Sequence, residues 1–278
     1  MYGRICKLVN SVGGTIVLKR FINDSKKYWE SAKFSAKSSL KSEVASSHLS
    51  WLWWILDPLL FMLVYSFIAL IVFGRGEKYF AAFVFIGLSS WNFFSKTVRQ
   101  SVRLVSQNSA IVSKVYLPKY VLVYTQIMIN GFKMLISFVL VIGIMIIYRV
   151  PVDYNLLFVI PLFLTLGLLT FGISSIMLHF GVWVDDLFNV VNVLLKLVFY
   201  LSGIFYNIAN RNIPEPYAGI LLKGNPIAFV MNELRNCMIY STTPDLVWLA
   251  VWFVAGIILS VIGVKIIYKY ENSYVKVI

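Results

Sequence analysis

Apolar positions in this 278-residue chain gather into long runs, with no strict alternation of apolar and polar residues. Six runs are long enough to cross about 30 Å of hydrocarbon as helices. They lie at 51–73, 79–105, 120–148, 154–180, 187–206 and 246–264, and the second turns polar after Ser95. The missing period of two and the length of each run exclude the strands of a membrane barrel. The pattern predicts an all-α integral membrane protein with six transmembrane helices. Residues 207–245 are too many for a turn and are broken by Pro214, Pro216 and Pro226. Their two apolar pieces, Tyr217–Leu222 and Pro226–Met231, are too short to cross, so re-entrant helices or an ordinary outer loop are expected there. Ahead of the first run, Tyr28, Ala32, Ala36, Leu40 and Val44 recur every four residues beside Lys33, Lys37 and Lys41, with Trp29 adjoining. This predicts an amphipathic interface helix lying in the headgroup layer, or a soluble helical arm. The chain thus divides into an N-terminal arm, 1–50, and a membrane domain, 51–278.

Composition makes the same choice of solvent. Hydrophobic residues are 59%, charged residues 13%, and mean hydropathy is +0.80, which excludes an ordinary soluble domain. The formal charge is nevertheless +13, with 25 Lys and Arg against 12 Asp and Glu. Nine basic residues lie in the arm, the last of them Lys41; five run from Lys96, in the polar end of span two, to Lys119, just ahead of span three, and three follow Val264. The opposite loops hold six, Arg235 among them. The positive-inside rule therefore predicts that both termini are cytoplasmic. No acidic residue occurs between Glu77 and Asp153, so the central link is an unneutralised basic patch suited to a topogenic signal and lipid headgroup contact. Sorted in this way, the charge calls for no nucleic acid.

Catalytic chemistry is missing. Two cysteines and two histidines, well apart, make neither a disulfide framework nor a metal site. There is no G-x-x-x-x-G-K-[ST] phosphate loop, so ATP hydrolysis by that route is excluded. Asp185 and Asp186 are neighbours that point about 100° apart on a helix, a poor geometry for shared acid–base work. Lys7 and Asn10 interrupt the early apolar run, so the first fifty residues are expected to stay in the mature chain. The expectation is a transporter or structural protein, with no cofactor of its own.

Several ordered motifs resemble one family. The stretch from Ser50 through Trp53, Asp57 and Pro58 to Val64-Tyr65 and Phe73-Gly74 resembles the start of the first span in type-2 ABC permeases. The branch most similar exports O-antigen, capsule and teichoic acid polymers. Phe85-Ile-Gly87 through Trp91 and Phe94-Ser95 looks like its second span, and Asn108 with Lys114 to Lys119 like the link that follows. Gly224-Asn225-Pro226 and Glu233-Leu-Arg235 match the pattern before its last span. The chain departs from the family at Ser50, Asp57, Asp185-Asp186 and Ser202-Gly203, where Gly, Asn, Arg-Asp and Ser-Pro are usual. Gly203 removes the proline break from span five while still permitting a bend. The resemblance implies a homodimer in the bacterial cytoplasmic membrane, joined by two separate ATPase subunits that bind ATP and Mg. It implies an ATP-driven exporter of a lipid-linked glycan on an undecaprenyl-type carrier. A type-2 ABC permease for a drug or small lipid is the alternative.

Three groups of side chains carry the functional expectations. Lys114, Val115, Tyr116 and Leu117, ahead of Pro118, predict an exposed short helix in 109–118 that couples to the ATPase, or else a plain loop. Phe61, Tyr65, Trp91, Phe94, Tyr200 and Phe205 are channel-lining candidates, because sugars stack on aromatic rings; packing is the competing role. Lys133 and Lys196 fall inside spans, where ionisable groups face a cavity or partner, and are candidates for the carrier phosphate. A later start to either span would place them at the interface instead.

Overall fold

The computed structural model describes residues 2–45, 50–68, 71, 78–208, 214 and 217–277. The expected end of the first span at Phe73-Gly74 and the prolyl residue Pro216 lie outside them. The described residues are helical, with no strand among them. In chain order the helices are α1 (Tyr2–Ala45), α2 (Ser50–Phe67), α3 (Phe80–Val102), α4 (Leu104–Gln107), α5 (Ser109–Val112), α6 (Tyr120–Ile147), α7 (Val159–Trp183), α8 (Leu187–Leu201), α9 (Tyr217–Lys223), α10 (Pro226–Met238) and α11 (Leu246–Val277). A 3-10 turn, Tyr154–Phe158, leads into α7 and is capped by the Asp153 carboxylate, which accepts from the Tyr154 amide at 2.7 Å. Among the described residues, three stretches are long and apolar enough to cross a membrane: Tyr120–Ile147, Tyr154–Trp183 and Leu246–Tyr274. Trp51–Phe67 and Leu187–Leu201 are shorter apolar helices.

α3 is the central helix, with seventeen of its 23 residues buried. α2, α6, α7, α8 and α10 all pack against it. Its serines and threonine, Ser89, Ser90, Thr97 and Ser101, are therefore enclosed by protein and never need to meet lipid.

The α7–α11 seam is the most extensive helix contact. Small residues make it. A Cβ on Gly172 would meet Leu259 Cβ at 2.7 Å, and one on Gly263 would meet Ser175 Cβ at 2.6 Å. Ser260 Oγ donates to Leu168 O at 3.1 Å and to Gly256 O at 2.7 Å. Where lipid is as apolar as the side chains, close backbone approach and such bonds drive helix association.

The two apolar pieces ahead of α11 both become helices, and the second extends to Met238. Pro226 begins α10 behind Asn225, whose side chain accepts from the amides of Ile227 (3.1 Å) and Ala228 (3.3 Å). α10 is buried along most of its length against α7 and α3, whereas α9 buries no residue.

The arm differs from its expectation. α1 is one helix of 44 residues, and the predicted lipid-facing stripe is turned toward protein from Tyr28 to Ala36, whereas Val44 at its end is exposed. Ala32 and Ala36 are buried, Tyr28 packs into a core cluster, and Phe21 meets Tyr120 of α6 at 5.1 Å. Alanines supply too little apolar area to hold a helix on lipid but let it lie close to α6. Lys33, Lys37 and Lys41 are exposed as expected, Leu40 is half-buried, and Trp29 is exposed with Phe34 beyond it.

Candidate functional site

A cavity of about 470 Å³ opens between α2, α3 and α6 beside the last turns of α1. Each of the three helices contributes one face. Trp53, Trp54 and Asp57 come from α2; Ser89, Asn92 and Lys96 from α3; Asn130, Lys133 and Ser137 from α6. The α3 and α6 sets are spaced to fall on one side of a helix turning 3.6 residues per turn. Two ion pairs cross the cavity. Lys133 Nζ donates to both Glu43 carboxylate oxygens, at 2.7 and 3.0 Å, and lies 5.2 Å from the Trp54 ring centroid. Trp54 Nε1 also donates to Glu43, at 3.1 Å. Lys96 stands 3.7 Å from Asp57. Below, Asn130 donates to Thr97 Oγ1 and Gln100 Oε1 at 3.0 and 2.8 Å.

Lys133 thus faces a cavity, as an ionisable residue inside a span should. Its charge, however, is matched by Glu43, ninety residues away in sequence. The pairing removes the net positive field expected for a carrier phosphate. Lys196 is different: it is exposed on α8 among Val193, Leu194, Leu197 and Tyr200, and it forms no ion pair among the described residues.

A second polar cluster ties together α1, the segment before α6 and the end of α11. Arg20 donates to Tyr116 Oη at 2.6 Å and to Glu271 Oε1 at 2.7 Å, and Tyr116 Oη donates to Glu271 Oε2 at 3.1 Å. Tyr268 caps the cluster, donating to Asp24 at 2.7 Å while the Arg20 guanidinium lies 4.3 Å from its ring. Burial, and then the charge of Glu271, raise the Tyr116 hydroxyl above its ordinary range.

The expected coupling segment is only partly a surface. α5 is a single turn, and Lys114, Val115 and Tyr116 are exposed. Leu117 packs on the core cluster around Tyr120, and Pro118 is buried, so these two are corrected from docking residues to anchors. Ile111, exposed four residues before Val115, joins the outward group, which the sequence reading overlooks. Its signal is the i, i+4 spacing with Val115.

The aromatic candidates also divide. Trp91 and Phe94 are buried at 5% and 6% exposure within the subunit, so their role is packing. Trp91 meets Phe199 edge to face at 5.7 Å. Tyr65 stacks on Phe205 with centroids 3.5 Å apart, joining α2 to the chain after α8. Phe61 and Tyr200 remain exposed.

Arg235, expected in an outer loop, is instead buried in α10. Its Nε donates to Phe83 O at 3.1 Å, Nη1 to Gly203 O at 2.9 Å and Nη2 to Ile204 O at 2.9 Å. Gly87 makes room, since a Cβ there would collide with Nη2. Gly203 takes φ +64° just after α8, turning its carbonyl toward the guanidinium. Glu233, also buried, accepts from Asn232, Asn236 and the Asp245 amide, each at 3.2 Å. The Glu233-Leu-Arg235 motif thus fixes α10 to the bundle and starts α11.

No family model matches the chain. Two proteins of Klebsiella pneumoniae named O-antigen export system permease protein RfbA are each 27% identical over 241 residues, covering 86% of this chain and 91% of the relative. A protein of the same name from Myxococcus xanthus is 27% identical over 208 residues, covering 74% of this chain and 79% of the relative. The resemblance of this chain to ABC permeases of the polysaccharide-export branch is borne out by curated proteins along most of its length.

Proposed function

We propose that this chain is the membrane subunit of an ATP-driven exporter that moves a lipid-linked envelope polysaccharide across the bacterial cytoplasmic membrane. The observation that carries this reading is the alignment with O-antigen export permeases over 86% of the chain. In this reading α2, α3, α6, α7 with its leading turn, α8 and α11 are the six spans, α9 and α10 are the re-entrant pair, and both termini are cytoplasmic. A second copy of the chain completes the channel, with Phe61, Tyr200 and Lys196 turned toward it or toward lipid. Two ATPase subunits bind ATP and Mg and dock beneath, where Ile111, Lys114 and Val115 present an apolar pair with a cationic rim.

Deleting the gene in its own host tests this. The expected result is loss of surface polysaccharide with accumulation of the lipid-linked glycan inside, both restored by the intact chain. Normal surface glycan with altered drug or small-lipid efflux would overturn the reading in favour of the alternative permease. Replacing Lys114 with Glu and Val115 with Asp should reduce co-purification of the ATPase while leaving the permease folded.

A further inference from the structure

The cavity between α2, α3 and α6 has no established occupant, and its chemistry is selective. Both of its lysines face carboxylates: Lys133 is paired with Glu43 at 2.7 Å and Lys96 with Asp57 at 3.7 Å. The lining therefore offers donors and acceptors in balance with no net charge, a poor environment for an isolated phosphate and a good one for paired hydroxyls. Trp53 borders the same space and is 58% exposed, leaving an indole face uncovered. Ser89 is 2% exposed, and its Oγ has no hydrogen-bond partner among the described residues although it belongs to the lining. A buried hydroxyl without a partner carries a desolvation cost that a bound ligand would recover. The volume of about 470 Å³ falls in the usual range of small-molecule sites.

The geometry points to a binding site for an uncharged sugar residue of the exported glycan, held between the α2, α3 and α6 faces. The ring's C–H face lies on Trp53. Its hydroxyls donate to Asp57 and accept from Lys96 and the Asn92 amide, and one reaches Ser89 Oγ. A sugar is the class that uses all of these at once, because it is apolar on its faces, polar at its rim and uncharged overall. This inference rests on the export reading for the origin of the sugar, but the site itself stands on the cavity. It replaces the carrier-phosphate role expected of Lys133 with a role in holding a neutral rim.

The test uses the full chain in lipid nanodiscs with glucose, galactose, mannose and N-acetylglucosamine as separate probes, read by saturation transfer from protein to sugar. At least one probe should receive transfer, reduced at least tenfold by Trp53→Ala or Asp57→Asn and retained by Trp53→Phe, which keeps a ring. Gel filtration verifies that each variant is folded; Trp53 is exposed, so its truncation leaves the core intact. No transfer to any of the four sugars overturns the proposal, as does transfer unchanged in both Trp53→Ala and Asp57→Asn. Displacement of the sugar by pyrophosphate at equal concentration, or a phospholipid headgroup occupying the site in the purified protein, also overturns it. Sugar binding in a chain whose deletion leaves surface polysaccharide normal supports the site and removes the export reading. Polysaccharide loss on deletion with no sugar binding does the reverse.

Discussion

The two sides of α3 meet opposite kinds of environment. On one side Phe83 and Gly87 are closed against α10, with the Arg235 guanidinium satisfied by three backbone carbonyls and lying 3.6 Å from the Phe83 ring centroid. On the other, Ser89, Asn92 and Lys96 line a cavity with α2 and α6. At about 100° per residue, the cavity set is centred roughly opposite Gly87. Polarity is present on both sides, so polarity alone does not mark function. What differs is room: the closed side is filled by the Arg235 guanidinium, whereas the open side leaves a cavity with an unmatched hydroxyl, that of Ser89, in its lining. A ligand can act only on the second.

The largest effect should come from the closed side. Arg235→Met leaves the carbonyls of Phe83, Gly203 and Ile204 without their donor, and a loss of about 3–5 kcal/mol is expected, as for breaking a buried charged network. Melting of the purified variant in detergent should fall sharply, and Arg235→Lys should not restore it, because one ammonium cannot span three carbonyls. If Arg235→Met melts like the parent, the clasp is not what closes this side.

Overpacking the seam comes next. Gly172→Leu or Gly263→Leu should cost about 1–3 kcal/mol by pushing α11 off α7. Lower yield and earlier melting are the readouts, and Gly143→Leu, where a Cβ meets nothing within 4 Å, is the control.

Smaller effects belong to the open side. Glu43→Gln weakens a partly exposed pair and should cost about 1 kcal/mol or less. The exchange Glu43→Lys with Lys133→Glu should recover most of it, and a failure to recover would show that Trp54 and Lys133 fix the direction of the pair. Smallest is Tyr116→Phe, which removes one half-exposed hydroxyl for about 0.5 kcal/mol. Stability should barely move, while hydrogen exchange in the last turns of α11 should quicken as Glu271 loses a donor.

Much of this is readable from pattern. Long apolar runs become helices, because a helix that satisfies its own backbone is the simplest way to place such a run, although α8 stops at Leu201 and α11 runs on to Val277, beyond the expected end at Val264. Lys133 stands out as a charge within a run, but Glu43 does not stand out as its partner, since no local rule links positions in different helices. The cavity leaves a fainter trace: Ser89/Asn92/Lys96 and Asn130/Lys133/Ser137 repeat at helical spacing inside otherwise apolar stretches. Trp91 and Phe94 are ambiguous for a physical reason, as an aromatic ring suits a core and a channel equally. Arg235 looks like a loop charge because Pro226 and the broken apolar pieces around it hide a buried helix. For the arm, a stripe of alanines encodes closeness to another helix rather than affinity for lipid.

α11 carries one further consequence. Its 32 residues make a rod of about 48 Å at 1.5 Å per residue, with no proline to hinge it. Glu271 sits about 38 Å along that rod from Leu246, so a tilt of about 5° about the Leu246 end swings it by about 3 Å. That displacement exceeds the tolerance of a hydrogen bond. Any force that shifts Tyr116 is therefore met by a stiff lever with a long arm, and small leverage at one end of the bundle becomes a change of angle along the whole α7 seam.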